Sequence, residues 1–163
     1  VRTLVNSSTG NVTTVCATAT GAVSGTAGDP STDLGAVNSA IQLNVVPIGI
    51  TATVASAVPL VVPVTYEAWI YSNSGLTTAQ IQTSIASAIT DFVSSVPIGG
   101  DNYDTGAAAG TLYAAGLRAA IVKSIPQIFN AIVSLPAADV AVPYNAVVQL
   151  GTVTATAIHQ VAP

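Results

Sequence analysis

Charge is what this sequence has least of. Its 163 residues include only seven Asp or Glu and three Lys or Arg, 6% charged in all, against about 25% in an ordinary globular domain. With Arg2, Arg118 and Lys123 as the whole cation set, no basic stripe for phosphates can be assembled, which excludes the nucleic-acid binding classes. Anionic membrane surfaces are disfavoured on the same ground. The single cysteine, Cys16, has no partner for an internal disulfide. His159 is the one imidazole. Long apolar runs are lacking too: the charge-free stretch 34–66 is broken by Asn38, Gln42, Asn44, Pro47, Pro59 and Pro63. A membrane-spanning helix needs about 20 mainly apolar residues, so no membrane insertion is expected. No signal-peptide pattern opens the chain, and no initiating Met is present. The expectation is a processed or excised piece of a longer protein.

What is present is half apolar residues and a surface that must be covered by Ser, Thr, Asn, Gln, Gly and Ala. A chain of this length buries roughly 70% of the surface its unfolded form exposes. It therefore needs neither metal nor disulfide to hold a core, as one domain or as two small lobes sharing one.

Residues 3–5 and 11–20 are rich in β-branched side chains and flank the turn-like stretch 6–10, which predicts a hairpin with a longer loop. Residues 21–31 read as a loop leading to a helix start at Ser31, Thr32 or Asp33. Val37 and Ile41 mark the buried face of a short helix that stops before Pro47. From residue 50 to 71 the pattern has period two: Leu60, Val62, Val64, Tyr66, Ala68 and Ile70 share one face, and Val61, Thr65, Glu67, Trp69 and Tyr71 the other. This predicts one long strand, or two broken near Val58-Pro59. Pro59 and Pro63 lack an amide donor and belong at a sheet edge or bulge. Thr77 and Gln80 form a capping box, followed at helical spacing by Ile81, Ile85, Ile89, Phe92, Val93 and Val96. A loop at 101–110, a third helix at 112–124 around Leu117, Ile121 and Ile125, a strand at 127–135 and a turn-like 136–144 come next. The last strand alternates Val148, Leu150, Thr152, Thr154 and Thr156 with Val147, Gln149, Val153, Ala155 and Ala157, and Gly151 is a candidate bulge.

The tetrapeptide Val46-Pro47-Ile48-Gly49 recurs 50 residues later as Val96-Pro97-Ile98-Gly99, each directly after a predicted helix. Proline cannot continue a helix and glycine permits the reversal that follows, so the repeat reads as a helix stop used twice. The expected fold is α+β, two tandem helix-and-sheet lobes with mainly antiparallel strands, divided into residues 1–57 and 58–163.

Candidate chemistry is sparse. There is no Gly-x-Ser-x-Gly elbow to partner His159, no Walker loop and no Gly-x-Gly-x-x-Gly, so neither a triad nor a nucleotide cofactor has visible support. His159 reads as a strand-end residue and Cys16 as a small buried hydrophobe. Asp101, Asn102 and Asp104 share one loop, but their spacing fails the EF-hand pattern, and Asn and Asp cluster in turns for backbone reasons. Glu67 reads as a solvent-facing strand residue. The Gly106 to Gly110 spacing and the triplets Asn6-Ser7-Ser8 and Asn11-Val12-Thr13 carry no weight in a chain so rich in small polar residues. No catalytic residue, metal or cofactor is expected. Tyr66, Trp69 and Tyr71 form the one candidate binding platform, of the aromatic kind that holds receptors or glycans. A hydrolase using Asp101 or Asp104 ranks last of the three function classes.

The order of these elements resembles the C-terminal part of the baseplate J-like family of contractile-tail phages and related injection machines. The resemblance is carried by the strand at 11–19, the turn Pro47-Ile48-Gly49, the alternating valines at 58–64 and the helix at 81–92 ending in Ile98-Gly99. It closes with the helix at 117–125 running into Ile125-Pro126-Gln127-Ile128. It covers nearly the whole chain, lacks the family's N-terminal portion, and departs from it in its very low charge. The resemblance implies a non-enzymatic wedge component of a tail baseplate, located in the virion and assembled in the cytoplasm of the bacterial host. Its implied partners are other baseplate or tail proteins and copies of itself, with no nucleic acid and no small-molecule substrate. A receptor- or glycan-binding module of a tail or cell-surface protein is the alternative.

Overall fold

The computed structural model describes residues 2–8, 11–18, 21–44, 50–102 and 108–163, and gives the side chains of all of these except 2–4 and 6–8. The fold is α+β with mixed sheets. Chain contacts divide it into two compact units, each assembled from separated segments. The first unit holds Val1–Leu60, Pro97–Gly110 and Val142–Val147, and the second Val61–Val96, Thr111–Ala141 and Val148–Pro163. This differs from the consecutive blocks 1–57 and 58–163. Two long strands run from one unit into the other, and hydropathy along the chain carries no mark where a strand changes unit.

In the first unit β1 (Arg2–Ser8) and β2 (Asn11–Thr18) pair antiparallel, with Ser8 opposite Asn11 and Arg2 opposite Ala17. The strands therefore extend into the stretch 6–10 that composition reads as loop, because β-branched neighbours across the ladder outweigh the turn propensity of Asn and Ser. The two-residue β3 (Gly21–Ala22) pairs with the end of β2. Helix α1 (Asp33–Asn44) then carries the chain to β4 (Thr51–Ser56), which lies parallel to β2. A parallel neighbour requires such a crossover. Thr32, one of the three expected start residues, caps α1: its Oγ1 accepts the Gly35 N–H at 3.2 Å. Leu34, Val37 and Ile41 of α1 pack with Cys16, Val23 and Val54. A second cluster gathers Val15, Ala17, Ala57, Ile98 and Val147. The first copy of the repeated tetrapeptide, 46–49, lies outside the described residues.

Of the two expected alternatives, the structure has two strands broken near Val58-Pro59: β4 ends at Ser56 and β5 (Val58–Tyr71) begins a new sheet just past Ala57. That sheet has the order β7-β5-β9, with β7 (Ile128–Leu135) antiparallel to β5 and β9 (Ala146–Val161) on the other side. Gly151 approaches Val61 and Pro63, Thr156 bonds to Tyr66, and His159 stacks on Trp69. These correspondences advance together, so β9 runs in the same direction as β5. A Cβ on Gly151 would stand only 3.1 Å from the Val61 side chain and 3.2 Å from the Pro63 backbone, so this glycine permits a close strand approach. The β7 register begins at Thr65, beyond Pro59 and Pro63, which leaves both prolines where β7 asks for no amide donor.

A 3₁₀ turn (Ser72–Ser74) leads to α2 (Thr78–Ser95), whose predicted capping box is present: Thr77 and Gln80 bond reciprocally. Ile81, Ile85, Ile89 and Val93 are buried along one stripe, each contributing about 1.5–3 kcal/mol. At its end Val96 leaves the helix, and Gly99 and Gly100 take φ values of 84° and 83° that only glycine adopts freely. Helix α3 (Ala114–Ser124) buries Leu117 and Ile121. It starts two residues later than the sequence predicts, because Leu112 belongs to β6 (Ala109–Leu112). The turn-like 136–144 contains β8 (Val140–Pro143), which pairs with β6 and whose alternation is too short to stand out. Among the described residues no helix is long and apolar enough to cross a membrane.

Candidate binding face

Strand β5 is the centre of the candidate site, and its period-two pattern decides which side chains meet. Val62, Val64, Tyr66, Ala68 and Ile70 point inward and are buried. Tyr66 is 1% exposed, and burial pushes its phenol above the usual tyrosine range. It therefore does not join the expected platform with Trp69 and Tyr71. A strand turns residues an odd number apart to opposite faces, so 66 is separated from 69 and 71 by parity alone.

Trp69 and Tyr71 do share the outer face, and each carries a ring partner from a neighbouring strand. His159 of β9 stacks on Trp69 with centroids 4.6 Å apart and planes at 18°. Phe129 of β7 stacks on Tyr71 at 4.6 Å and 26°. Such pairs contribute about 0.5–1.5 kcal/mol beyond their buried area. Beside them His159 Nε2 lies 3.6 Å from Glu67 Oε2. Thr156 Oγ1 sits 3.1 Å from the Tyr66 carbonyl and 3.4 Å from Glu67 Oε1, where it can donate to either. Both ends of the ion pair are partly solvated, so it contributes under about 1 kcal/mol when the imidazole is protonated.

Phe129 and His159 were not among the residues singled out for this face. No local signal marks them, since each meets its partner only through the register of a distant strand. Phe129 also begins an exposed apolar row along β7: Phe129 is 46% exposed, Ile132 50% and Leu135 47%. Val61 extends the apolar character along β5. The face is thus apolar and aromatic along β5 and β7 and lined by Thr152, Thr154 and Thr156 along β9, and Glu67 and His159 are turned toward each other.

Elsewhere the chemistry is thin. Cys16 is buried and free, and burial raises its thiol above the ordinary range, which makes it a poor nucleophile. Asp101 is half-buried, and Asp104 lies outside the described residues, as does Gly106. Among the described residues no three His, Cys, Asp or Glu side chains come together in a way that would hold a metal ion. Two open grooves border the second unit's sheet. One, of about 440 Å³, lies between α3 and β7 and contains Arg118, whose guanidinium donates to Asn130 Oδ1 at 2.9 Å. The other, of about 470 Å³, lies between α2 and β9. No protein-family model matches the chain, and no curated protein matches it either.

Proposed function

We propose that this chain is a structural component of a contractile tail baseplate, of the baseplate J-like wedge type, acting by protein-protein contacts and without catalysis. The observation that carries the reading is the outer face of the β7-β5-β9 sheet. Phe129, Ile132, Leu135, Val61 and Tyr71 are exposed there, and Glu67 and His159, 3.6 Å apart, are the acidic and basic side chains beside them. A face with so few ionisable groups can be covered by another protein while desolvating few ions, which is the costly step in assembly. Exposed apolar groups in that number on one surface mark an interaction site. The order of strands, helices and Pro-Gly turns that resembles the family supports the same reading. Its partners are then other baseplate or tail proteins, and its place is the tail of a virion assembled in the host cytoplasm.

A second reading, a receptor- or glycan-binding module, draws on the two stacked pairs Trp69–His159 and Tyr71–Phe129 beside the polar Glu67 and Asn130. Immunogold electron microscopy of tailed particles from the source, with antibodies to this chain, separates the two. Label at the distal end of tails is the expected result. Intact tails without label, with the protein found free, would overturn the baseplate reading and leave the binding module in its place.

A further inference from the structure

The end of β9 is laid on β5 by a break in its own pattern. From Thr152 to Thr156 the strand alternates exposed and half-buried residues, but Ala157 and Ile158 are both half-buried, and 159–163 are exposed. A strand that kept strict period two would send residues 156 and 159 to opposite faces. Here both reach Glu67: Thr156 Oγ1 lies 3.4 Å from its Oε1, and His159 Nε2 lies 3.6 Å from its Oε2 while the imidazole stacks on Trp69. An irregularity of this sort re-aims a side chain. The side chain re-aimed is the only imidazole of the chain, and it lands on the only indole. All of these groups belong to the second unit.

We propose that the end of β9, residues 158–161, is a strap over Trp69 that protonation of His159 fastens. The imidazolium makes two contacts that the neutral ring does not: an ion pair with Glu67, and a cation held over the face of the indole. The side chains of His159 and Glu67 are 44% and 39% exposed, so the proton comes directly from solvent. Other charges do not supply the switch. On β7, Asn130 stands opposite Trp69 and holds the Arg118 guanidinium at 2.9 Å, and a guanidinium stays charged throughout. Tyr71, two residues beyond Trp69 on the same face of β5, is stacked on Phe129. Residues 152–161 of β9 contain no Asp, Glu, Lys or Arg, so Glu67 is the charge that His159 answers to.

The sign of the effect follows from the contacts. An imidazole changes charge between about pH 8 and 5. The clamp is present where His159 is protonated and Glu67 is ionised, and it is lost as pH rises through the imidazole's titration. Strand ends open at little free-energy cost, so contacts even this exposed move the population: protonation favours the closed strap about three- to tenfold. The indole of the candidate platform is therefore covered in mildly acid solution and uncovered more often near neutral pH.

This inference goes beyond the baseplate reading and does not lean on it: unlabelled tails overturn that reading and leave the strap untouched, and a strap indifferent to pH leaves tail labelling untouched. Acrylamide quenching of the single tryptophan tests it on the isolated chain. From about pH 8 to 5.5 the quenching constant is expected to fall. Over the same interval the hydrogen-exchange protection of amides 158–161, referred at each pH to an unstructured peptide of the same sequence, is expected to rise about three- to tenfold. His159→Gln abolishes both responses, Glu67→Gln shrinks them to the cation–indole part, and Tyr71→Phe leaves them as they are. His159 and Glu67 are solvent-facing, so their variants keep the wild-type circular dichroism. An indole equally accessible at every pH, a response that survives His159→Gln, or an indole that becomes more accessible in acid overturns the proposal.

Discussion

The two units hold themselves together by different means. The first is packed mostly with small side chains, Val15, Cys16, Ala17, Val23, Val54 and Ala57, with Leu34 and Ile98 as the larger members. The second encloses Tyr66, Ile70, Ile81, Ile85, Ile89, Leu112, Leu117 and Ile121. Since burial stabilises by about 25 cal/mol per Å² of apolar surface, the larger side chains of the second unit give it the deeper hydrophobic contribution per residue. Side-chain to backbone hydrogen bonds add to the packing of the first unit. Ser56 Oγ accepts the Val23 N–H, Asn38 Nδ2 donates to the Ala27 carbonyl, and Gln42 Nε2 donates to the Ala52 carbonyl, each at 2.9 Å. Each is worth about 1 kcal/mol net. The contrast teaches that a Ser/Thr/Ala-rich sequence can build one compact unit mostly on small buried side chains and another on larger aliphatic ones.

The sharpest way to break this comparison is at the core of the second unit. Ile85→Asp places a carboxylate among buried aliphatic groups with no cation to meet it. The expected cost is about 4 kcal/mol or more, seen as loss of a cooperative melting transition. A soluble variant with unchanged circular dichroism and melting temperature would contradict the placement of α2.

A pair of truncations measures the contrast itself. Ile89→Ala in the second unit is expected to cost about 3–4 kcal/mol in urea unfolding, and Val54→Ala in the first only about 1–2 kcal/mol, because fewer methyl groups are lost and a smaller void is left. Equal costs would mean that side-chain size does not separate the two units.

The smallest effect belongs to the polar stitching before α1. Hydrogen bonds from the Ser31 hydroxyl at 2.6 Å and the Ser31 N–H at 3.0 Å hold the Asp29 carboxyl below its ordinary value of 3.8. A depressed folded-state value means that the stabilisation is complete above the unfolded carboxyl's range and is lost as pH falls through the folded one. Asp29→Asn is therefore slightly less stable than the parent at neutral pH, and the two stability curves converge in acid. Parallel curves over the whole acid limb would show that these bonds add nothing to the first unit.

Much of the fold was legible because it is local. The Thr77/Gln80 capping box, the Ile81-Ile85-Ile89 stripe, the Leu117-Ile121 stripe and the even-odd split of β5 depend only on residues a few positions apart. The boundary errors also have local causes, as at Leu112, where a short strand abuts a helix of similar composition. The candidate face was legible only in part. Trp69 and Tyr71 follow from period two, and Tyr66 is separated from them by the same rule. Their ring partners do not follow, because nothing near Phe129 or His159 states which residue each will face.

Composition and spacing alone determined that this is an α+β chain with three amphipathic helices, a half-buried central strand, a surface almost without charge and no basic patch. These are consequences of side-chain type and of the 3.6 and 2.0 residue periods. Tertiary structure alone decided that β2 and β4 lie parallel, that β9 follows β5 in the same direction, and that His159 covers Trp69 while Glu67 waits beside it. The reason is register: a strand's pattern says which residues share a face, but which strand lies beside it, and in what alignment, depends on how all the faces are buried at once.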